Sequence, residues 1–307
     1  MDEISGSRRR VLRLFAAAPA LLAMTHSPAS AAPRLTRPIA ASGETLPVIG
    51  LGTWQSFGVG ADTAARAPLR EVLRIFAAAG GGMIDSSPMY GSSEAVAGDL
   101  IAEAGLRDRL FVATKVWTNG AAEGVRQMEE SFRLLRVARM DLMQVHNLAD
   151  VATHTRTLAG WKAQGRVRYL GVTHYSSYAY AEVERVLRAG NYDFLQINYS
   201  LAEREAEDRL LPLALDKGIA VIANRPFSQG AMFRRVRGKP LPPWVAELGI
   251  ASWAQFFLKW LVGHPAITCA IPATGKPAHM ADNLAAGRGT LPDAAMRRRM
   301  AAYYDEL

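Results

Sequence analysis

The sequence predicts an α/β protein whose core is a closed barrel of eight parallel strands, preceded by a short β-hairpin. From residue 39 onward, short apolar runs alternate with amphipathic segments, and they form eight strand and helix pairs. Eight pairs is the number that closes a parallel barrel, the TIM-barrel architecture. A doubly wound sheet would more often have fewer strands and a glycine-rich phosphate loop, and no G-x-G-x-x-G motif follows the first strand here.

The elements follow in order along the chain. The hairpin is predicted from two apolar runs, residues 39–41 and 47–49, which flank the turn sequence Ser42-Gly43-Glu44-Thr45. The barrel strands are expected at residues 49–53, 82–86, 110–116, 140–146, 168–173, 193–199, 219–224 and 268–272. The helices are expected at residues 64–79, 93–104, 122–136, 151–164, 178–189, 204–217, 250–262 and 277–286. With 307 residues, half of them hydrophobic, the chain is long enough for one domain with a full core.

Two segments are rich in glycine. Gly80-Gly81-Gly82 follows a helix and precedes a strand, so it is interpreted as a helix C-terminal turn rather than a phosphate-binding loop. Residues 226–243, between the seventh and eighth strands, contain many Arg, Gly and Pro residues and have no strong periodicity. A long loop at the mouth of a barrel indicates a functional lid or clamp, and a solvated surface loop explains its composition equally well.

The formal charge of +8 raises the question of nucleic-acid binding. The first 31 residues contain four arginines, and removing this segment leaves 32 basic and 26 acidic residues. The remaining arginines are dispersed, apart from residues 234–239 and 297–299, and no nucleic-acid-binding motif accompanies them. We therefore expect a solvated basic surface and no nucleic-acid partner.

The first 31 residues have the layout of a bacterial export signal. Ser7-Arg8-Arg9-Arg10-Val11-Leu12-Arg13 precedes an apolar stretch from Leu14 to Met24, and Ala29-Ser30-Ala31 has the small-x-small form of a cleavage site. This layout resembles the twin-arginine signal. The resemblance implies a signal peptide over residues 1–31 that is read by the twin-arginine translocation machinery. It also implies a mature domain of residues 32–307 in the periplasm or outside the cell.

Two other interpretations of this segment remain open, a basic N-terminal helix and an uncleaved anchor. The apolar stretch is shorter than the roughly 20 residues that a membrane span needs, so no stable membrane anchoring is expected. The single cysteine, Cys269, excludes an internal disulfide.

Four polar residues, Asp85, Tyr90, Lys115 and His146, fall at or just after the ends of successive strand-like runs. Side chains at the C-terminal ends of barrel strands point into the mouth where active sites are built, so we expect the four to converge there. Together they form a set that can protonate a carbonyl oxygen while a hydride is delivered to its carbon.

Each of the four residues has a separate role in such chemistry. Free tyrosine is a weak acid at neutral pH, and a nearby ammonium favours the phenolate, so Lys115 is expected to lower the pKa of Tyr90. Asp85 would keep Lys115 charged and in place when both are out of water. His146 would donate a hydrogen bond to the substrate oxygen, orient it and stabilise the negative charge that develops there.

The motifs around these residues resemble those of the aldo-keto reductase superfamily, over about residues 38–287. They are Gly50-Leu51-Gly52-Thr53-Trp54, Asp85-Ser86-Ser87-Pro88-Met89-Tyr90-Gly91-Ser92-Ser93-Glu94, Thr114-Lys115-Val116-Trp117 and Gln144-Val145-His146-Asn147. The resemblance implies a (β/α)8 barrel, here expected as a monomer, that acts on a small carbonyl compound. It also implies that Asp85, Tyr90, Lys115 and His146 are the catalytic residues.

The same resemblance implies a cofactor site that is spread over several strand ends. Thr173 and His174 stand where the family usually has a serine and an asparagine that hold the nicotinamide carboxamide, and Gln196 matches a glutamine that contacts the same amide. The segment after the seventh strand would clamp the pyrophosphate. The implied cofactor-binding residues are Gly52, Thr53, Trp54, Thr173, His174, Gln196, Arg225, Pro226, Phe227, Ser228, Thr274, Lys276, His279 and Asn283.

Residues 271–283 resemble the adenosine site of the family. Many members have a lysine at the position of Ala273 and an arginine at that of His279, and both bind the 2′-phosphate of NADPH. Thr274 and Lys276 can take over this role, because a hydroxyl and a point charge suit a phosphate and the segment opens a helix. NADPH is therefore the expected cofactor, with NADH as the alternative.

Trp54, Met89 and Trp117 are expected to line the substrate side of the mouth. An aromatic and thioether lining favours a hydrophobic or aromatic aldehyde or ketone, and plain core packing is the alternative interpretation. No cluster of His, Cys or carboxylates has metal-ligand spacing, so no metal is expected. His154 and His264 are expected at surface or turn positions.

The predicted function is therefore NAD(P)H-dependent reduction of an aldehyde or ketone to an alcohol, with Tyr90 as the general acid. The steps are reversible, so the same site would also serve an alcohol or sugar dehydrogenase. The alternative from another functional class is a nucleotide-binding regulatory or sensing module with negligible turnover, because the resembling family includes such subunits.

Overall fold

Eight parallel strands form one barrel in the computed structural model, which describes residues 32–307. The predicted signal peptide, residues 1–31, lies outside the described residues. A two-stranded antiparallel hairpin, β1 (Thr36–Pro38) and β2 (Thr45–Pro47), precedes the barrel. The barrel strands are β3 (Leu51–Gly52), β4 (Gly82–Asp85), β5 (Leu110–Val116), β6 (Met140–His146), β7 (Val167–Thr173), β8 (Phe194–Asn198), β9 (Ala220–Asn224) and β10 (Ile267–Ala270).

The barrel is closed by backbone contacts between its first and last strands. Consecutive strands pair in parallel from β3 to β10. The Gly50 N–H donates to the Ala270 carbonyl at 2.8 Å, and the Ala270 N–H donates to the Val48 carbonyl at 2.9 Å. A further bond of 3.2 Å joins the Gly52 N–H to the Pro272 carbonyl. The predicted (β/α)8 barrel is therefore confirmed.

Helices surround the barrel and cover its outer face. They are α1 (Thr63–Ala78), α2 (Ser93–Glu103), α3 (Ala121–Leu135), α4 (Val151–Ala163), α5 (Tyr180–Ala189), α6 (Leu210–Asp216), α7 (Ala231–Arg235), α8 (Trp253–Val262), α9 (Pro277–Ala285) and α10 (Ala294–Asp305). Among residues 32–307, no helix is both long enough and apolar enough to cross a membrane.

Helix α1 shows why these segments are helical and how they pack. The Asp62 side chain accepts hydrogen bonds from two N–H groups of the first turn and so caps the helix. Leu69, Val72, Leu73 and Phe76 are buried, and their i, i+3, i+4, i+7 spacing forms one apolar stripe against the sheet. Each such buried side chain stabilises the fold by roughly 1.5–3 kcal/mol.

The hairpin exists, but its predicted bounds were wrong. Residues 39–44 form the turn, in which the Ile39 N–H donates to the Glu44 carbonyl at 2.7 Å. Residues 48–50 pair with β10 and so belong to the barrel wall. The apolar residues that suggested strands at 39–41 are explained by burial instead, because Ile39 joins Leu46 in the apolar cluster of inward-facing strand residues.

The structure differs from the sequence prediction in four further respects. Residues 226–243 contain α7 as well as loop, and the Arg235 side chain of α7 donates to the Asp305 carbonyl at 2.7 Å. Helix α10 was not expected, because only Met300 and Tyr304 of it are buried. His154, expected at the surface, is fully buried and its Nε2 lies 2.8 Å from the Thr118 carbonyl oxygen. The first barrel strand is shorter than expected, since β3 has two residues.

The glycine turn at residues 80–82 confirms the interpretation of a helix C-terminal turn. The Gly80 and Gly81 N–H groups donate to the carbonyls of Ala77 and Phe76 at the end of α1, at 2.9 Å each. Gly81 has a φ of 68°, and a Cβ there would lie 2.1 Å from the Arg109 carbonyl oxygen. Only glycine therefore fits this position.

Two helical glycines should respond to alanine in opposite ways. A Cβ at Gly98 in α2 would lie 2.0 Å from the Leu134 carbonyl oxygen of α3, whereas a Cβ at Gly160 in α4 would meet nothing within 4 Å. We expect Gly98→Ala to lower the free energy of unfolding by about 1–3 kcal/mol through overpacking. Gly160→Ala should raise it by roughly 0.5–1 kcal/mol, because glycine loses more backbone entropy on folding. Urea unfolding measures both, and a stable Gly98→Ala variant would contradict this packing.

Candidate active site

The four predicted catalytic residues meet at the C-terminal ends of neighbouring strands. Asp85 is the last residue of β4, Lys115 is the penultimate residue of β5, and His146 ends β6. Tyr90 lies in the loop between β4 and α2. Since these strands are adjacent and parallel, their C-terminal ends bring the side chains to one end of the barrel.

Asp85 and Lys115 form a buried ion pair. The Lys115 Nζ lies 2.6 Å from the Asp85 Oδ2 and also donates to the Ser86 carbonyl at 2.7 Å. The side chain of Lys115 is 0% exposed and that of Asp85 is 3% exposed. Charges taken out of water are costly unless they are paired and hydrogen-bonded, and this pair satisfies both conditions.

Two glutamines hold the other oxygen of Asp85. The Gln196 Nε2 on β8 donates to the Asp85 Oδ1 at 2.9 Å, and the Gln144 Nε2 on β6 donates to it at 3.2 Å. Gln196 also donates to the Gln144 Oε1 at 3.3 Å. The carboxylate is therefore fixed by contributions from three strands, β5, β6 and β8.

Tyr90 is protonated in this environment. The Lys115 Nζ lies 5.1 Å from the centroid of the Tyr90 ring. Burial raises the pKa of Tyr90, and this effect is larger than the lowering by the Lys115 charge, so the pKa lies above its ordinary value. Lys115 does lower the pKa of Tyr90, as expected, but burial reverses the net direction of the shift. A raised pKa keeps the phenol proton in place throughout the neutral range.

Lys115 stays charged next to this phenol. Burial by itself lowers the pKa of a lysine, but the charge of Asp85 and the interaction with Tyr90 outweigh it, so the pKa of Lys115 is raised. The ammonium can therefore stabilise a phenolate when Tyr90 gives up its proton.

His146 is neutral. Burial, followed by the charge of Lys115, lowers its pKa to about 2. The ring packs edge-on against Tyr90, with centroids 6.1 Å apart, and lies 6.4 Å from the Trp117 ring. A neutral imidazole carries one N–H group and one bare nitrogen. His146 is therefore suited to donate a hydrogen bond and is a poor candidate for the proton donor.

Four contacts in this site were not predicted from the sequence, which had assigned Thr53 to the cofactor site and given no role to Ser87 or Gln144. The Ser87 Oγ lies 3.0 Å from the His146 Nδ1, and the Gln144 amide binds Asp85. The Thr53 Oγ1 donates to the Asp85 carbonyl at 3.0 Å and lies 2.9 Å from the Ser86 Oγ. Strand alternation could have identified Gln144, because it lies two residues before His146 and so faces the same side of β6.

The predicted substrate residues lie around the same end of the barrel. Trp54, Met89 and Trp117 follow β3, β4 and β5, and each side chain is more than a third exposed. Large apolar side chains that stay exposed at a barrel mouth are available for ligand contact. Their role in substrate binding stays a prediction.

The predicted nicotinamide residues lie on β7 and β8: Thr173 ends β7, His174 follows it, and Gln196 is the middle residue of β8. The Thr173 Oγ1 donates to the Gln196 Oε1 at 3.3 Å. His174 is buried, and burial lowers its pKa. Its Nδ1 accepts the Ser176 N–H at 3.2 Å, so the neutral ring carries its hydrogen on Nε2. Gln196 lies within the Asp85 network, where both hydrogens of its amide are used.

The predicted pyrophosphate segment follows β9 and has a strained backbone. Arg225, Ser228 and Gln229 all have positive φ values, of 50°, 45° and 53°. Non-glycine residues rarely adopt this conformation, and it concentrates at ligand-binding sites. Within residues 32–307, the Arg225 Nε and the Asn224 Oδ1 are buried and have no hydrogen-bond partner.

Other contacts fix the side chains of this segment. The Arg225 Nη1 donates to the Tyr175 carbonyl at 3.0 Å. The Ser228 Oγ donates to the Glu203 Oε2 at 3.2 Å. Phe227, which follows Pro226, packs against Phe233 of α7 with ring centroids 4.8 Å apart.

The predicted adenosine residues lie in the segment after β10 and along α9. Gly52 bridges to Ala273, which places this segment beside β3. Thr274 is buried, and its Oγ1 accepts the Lys276 N–H at 3.1 Å. Lys276 and His279 are exposed, whereas Asn283 is buried. In the part of the chain that the structure describes, no group of three or more potential metal ligands occurs.

The sequence matches the aldo/keto reductase family over residues 48–303. It is 31% identical over 251 residues to the methylglyoxal reductase YeaE of Escherichia coli (strain K12), covering 78% of this chain and 85% of the relative.

Two solved structures of aldo-keto reductases from Klebsiella pneumoniae are also similar. One, in complex with NADP and acetate, has a TM-score of 0.73 and 27% identity, covering 85% of this chain and 93% of the other. The second, in complex with NADPH, has a TM-score of 0.75 and 26% identity, covering 89% and 95%.

Breaking the buried ion pair from one side should destabilise the fold. Lys115→Met leaves the Asp85 carboxylate buried without its cation, so we expect the free energy of unfolding to fall by about 3–5 kcal/mol. Adding Asp85→Asn removes the unpaired charge and keeps an oxygen for the two glutamines, so the double variant should recover much of the loss. Arg74→Gln, which breaks an exposed pair with Glu71, should leave the urea midpoint unchanged. A Lys115→Met variant as stable as the parent would contradict the pairing.

Proposed function

Since the chain belongs to the aldo/keto reductase family, we propose that Asp85, Tyr90, Lys115 and His146 carry out carbonyl reduction, with Tyr90 as the proton donor. The protein is an NAD(P)H-dependent oxidoreductase that reduces an aldehyde or ketone to an alcohol. The observation that carries the residue roles is the Tyr90 ring, whose centroid lies 5.1 Å from the Lys115 ammonium that Asp85 holds in place.

The reduction needs a hydride at the carbonyl carbon and a proton at the carbonyl oxygen. NADPH, when bound, supplies the hydride. Tyr90 gives its phenol proton to the oxygen as negative charge develops there, and the Lys115 ammonium stabilises the phenolate that remains. His146, being neutral, donates a hydrogen bond to the same oxygen and orients the carbonyl. In the reverse direction Tyr90 acts as the base, so the site also supports alcohol oxidation.

The residues predicted to bind the cofactor fit a nicotinamide adenine dinucleotide phosphate. The buried, unpartnered Arg225 Nε is a free donor in the segment proposed for the pyrophosphate, and the strained backbone there is typical of a ligand-binding loop. The Nε2–H of His174 is a donor for the carboxamide oxygen. At the adenosine end, the Lys276 ammonium and the N-terminus of α9 favour a phosphate. NADPH is the cofactor that this arrangement supports, in line with the complexes of the two similar structures.

The proposed substrates are hydrophobic or aromatic aldehydes and ketones. Trp54, Met89 and Trp117 would offer apolar and aromatic surface at the entrance. One relative of this chain is named a methylglyoxal reductase. A small dicarbonyl is therefore the first substrate to test beside the aromatic aldehydes. The site and the comparisons hold nothing that favours the regulatory module over an enzyme.

The location of the enzyme is proposed from the first 31 residues. Their twin-arginine layout supports export by the twin-arginine machinery, cleavage before Ala32 and a periplasmic or secreted mature chain of residues 32–307. We propose that this mature chain acts as a monomer and without membrane anchoring.

Replacing Tyr90 should remove the proton donor while keeping the cofactor site. We expect Tyr90→Phe to lower kcat for NADPH-dependent reduction of 4-nitrobenzaldehyde by about 10²–10⁴-fold, the usual contribution of a general acid. The NADPH dissociation constant, measured by quenching of tryptophan fluorescence, should stay unchanged. Tyr192→Phe removes a hydroxyl that contacts Thr155, just before the N-terminal end of β8 and so away from the C-terminal strand ends. This variant is the matched control and should keep full activity. Full activity of Tyr90→Phe would mean that another group gives the proton.

Export should depend on the paired arginines. We expect Arg8→Lys with Arg9→Lys to keep the protein in the cytoplasm of a bacterium that has the twin-arginine machinery, because that machinery reads the arginine pair. Cell fractionation measures the location, and mass spectrometry of the parent should show a chain that begins at Ala32. Export of the double variant at the parental level would reject the twin-arginine route.

A further inference from the structure

His146 can orient a carbonyl only if its hydrogen is on the correct ring nitrogen. A neutral imidazole exists in two forms, with the hydrogen on Nδ1 or on Nε2, and the partner of one nitrogen decides between them. In this protein the Nδ1 faces Ser87 at 3.0 Å. The identity of the donor in that contact therefore decides what the Nε2 can offer to a substrate.

The surroundings of Ser87 indicate that its hydroxyl is the donor. Ser87 is fully buried, and its Oγ already accepts the Met89 N–H at 3.4 Å. Among the hydrogen bonds of residues 32–307, the His146 Nδ1 is the one partner that can take the hydroxyl hydrogen. If Nδ1 carried the hydrogen instead, the Ser87 oxygen would receive two hydrogen bonds and leave its own hydrogen unsatisfied in a buried place.

The other neighbours of His146 do not select between the two forms. Tyr90 packs edge-on against the ring and Trp117 lies tilted to it, and such contacts restrict how the ring turns. Neither ring contact involves a hydrogen bond to a ring nitrogen within the described residues. Ser87 therefore decides which ring nitrogen of His146 carries the hydrogen.

We propose that Ser87 is a positioning residue that donates its hydroxyl hydrogen to the His146 Nδ1 and so keeps the ring hydrogen on Nε2, where it points to the substrate oxygen. This proposal rests on the proposed function, because the benefit of an Nε2–H group is that it binds the carbonyl. It assigns a separate task to each group near the substrate oxygen: Tyr90 gives the proton, His146 orients the carbonyl, and Ser87 fixes the tautomer of His146.

In a second histidine, His174, the partner of Nδ1 also decides which ring nitrogen carries the hydrogen. The His174 Nδ1 accepts the Ser176 backbone N–H, which can only be a donor, so its Nε2 must carry the hydrogen. The two buried histidines at the mouth would then both offer Nε2–H groups. His174 provides an internal reference for the experiment, because its form is set by the backbone and does not depend on Ser87.

The direct test is nitrogen NMR of the apo protein, residues 32–307, labelled with ¹⁵N-histidine at pH 7.5. His146→Asn assigns the signals of His146. We expect the wild-type ring to show a protonated Nε2 and an unprotonated Nδ1. Ser87→Ala should move both nitrogen shifts toward the averaged values of two exchanging forms, whereas the His174 signals stay in place. Ser87→Thr, which keeps a hydroxyl, should restore the wild-type pattern.

Kinetics with 4-nitrobenzaldehyde give the functional readout. We expect Ser87→Ala to lower kcat by roughly threefold to tenfold, the range of one net hydrogen bond, with KM for NADPH unchanged. Ser87→Thr should regain most of the loss. A wild-type ring protonated on Nδ1, or Ser87→Ala with wild-type nitrogen shifts, would overturn the proposal. Because the spectrum needs no turnover, an inactive wild type with the expected spectrum would count against the proposed function and leave the assignment of Ser87 standing.

Discussion

The buried ion pair between Asp85 and Lys115 is the interaction on which the site depends. It joins the ends of β4 and β5, and it exists only because Ser86, Gln144 and Gln196 satisfy the remaining hydrogen-bonding atoms. Without these partners, the buried ion pair would keep unsatisfied hydrogen-bonding atoms and would destabilise the fold. The barrel provides the partners because strands that are distant in sequence present their inward-facing residues at one end.

Burial then separates the tasks of the two groups next to Lys115. Removal from water disfavours the charged form of any group, so it raises the pKa of Tyr90 and lowers that of His146. At neutral pH both groups are uncharged, but one keeps a transferable proton and the other offers a hydrogen bond. When one environment shifts the pKa values of two groups in opposite directions, those shifts are the usual basis for assigning which group is the general acid and which group assists it.

The sequence was sufficient to predict the barrel and the four residues, because strand ends can be located from apolar runs and point to a common mouth. It did not predict the direction of the Tyr90 pKa, since that depends on how completely the folded protein excludes water. Ser87 lies within the motif around Asp85 and Tyr90, yet its contact with His146 joins residues 59 positions apart and appears only in three dimensions. Helix α10 was missed because it follows the eighth strand and helix pair and only Met300 and Tyr304 of it are buried.

The most direct test of this account is the pH dependence of single-turnover oxidation of bound NADPH by 4-nitrobenzaldehyde. This rate reports the proton donor without interference from product release. If Tyr90 is the donor, the rate should be level from about pH 6 to pH 9 and fall only at higher pH, where a tyrosine with a raised pKa begins to ionise. A rate that falls as the pH rises through 6–7 would identify a protonated histidine as the acid and contradict the assignment of Tyr90.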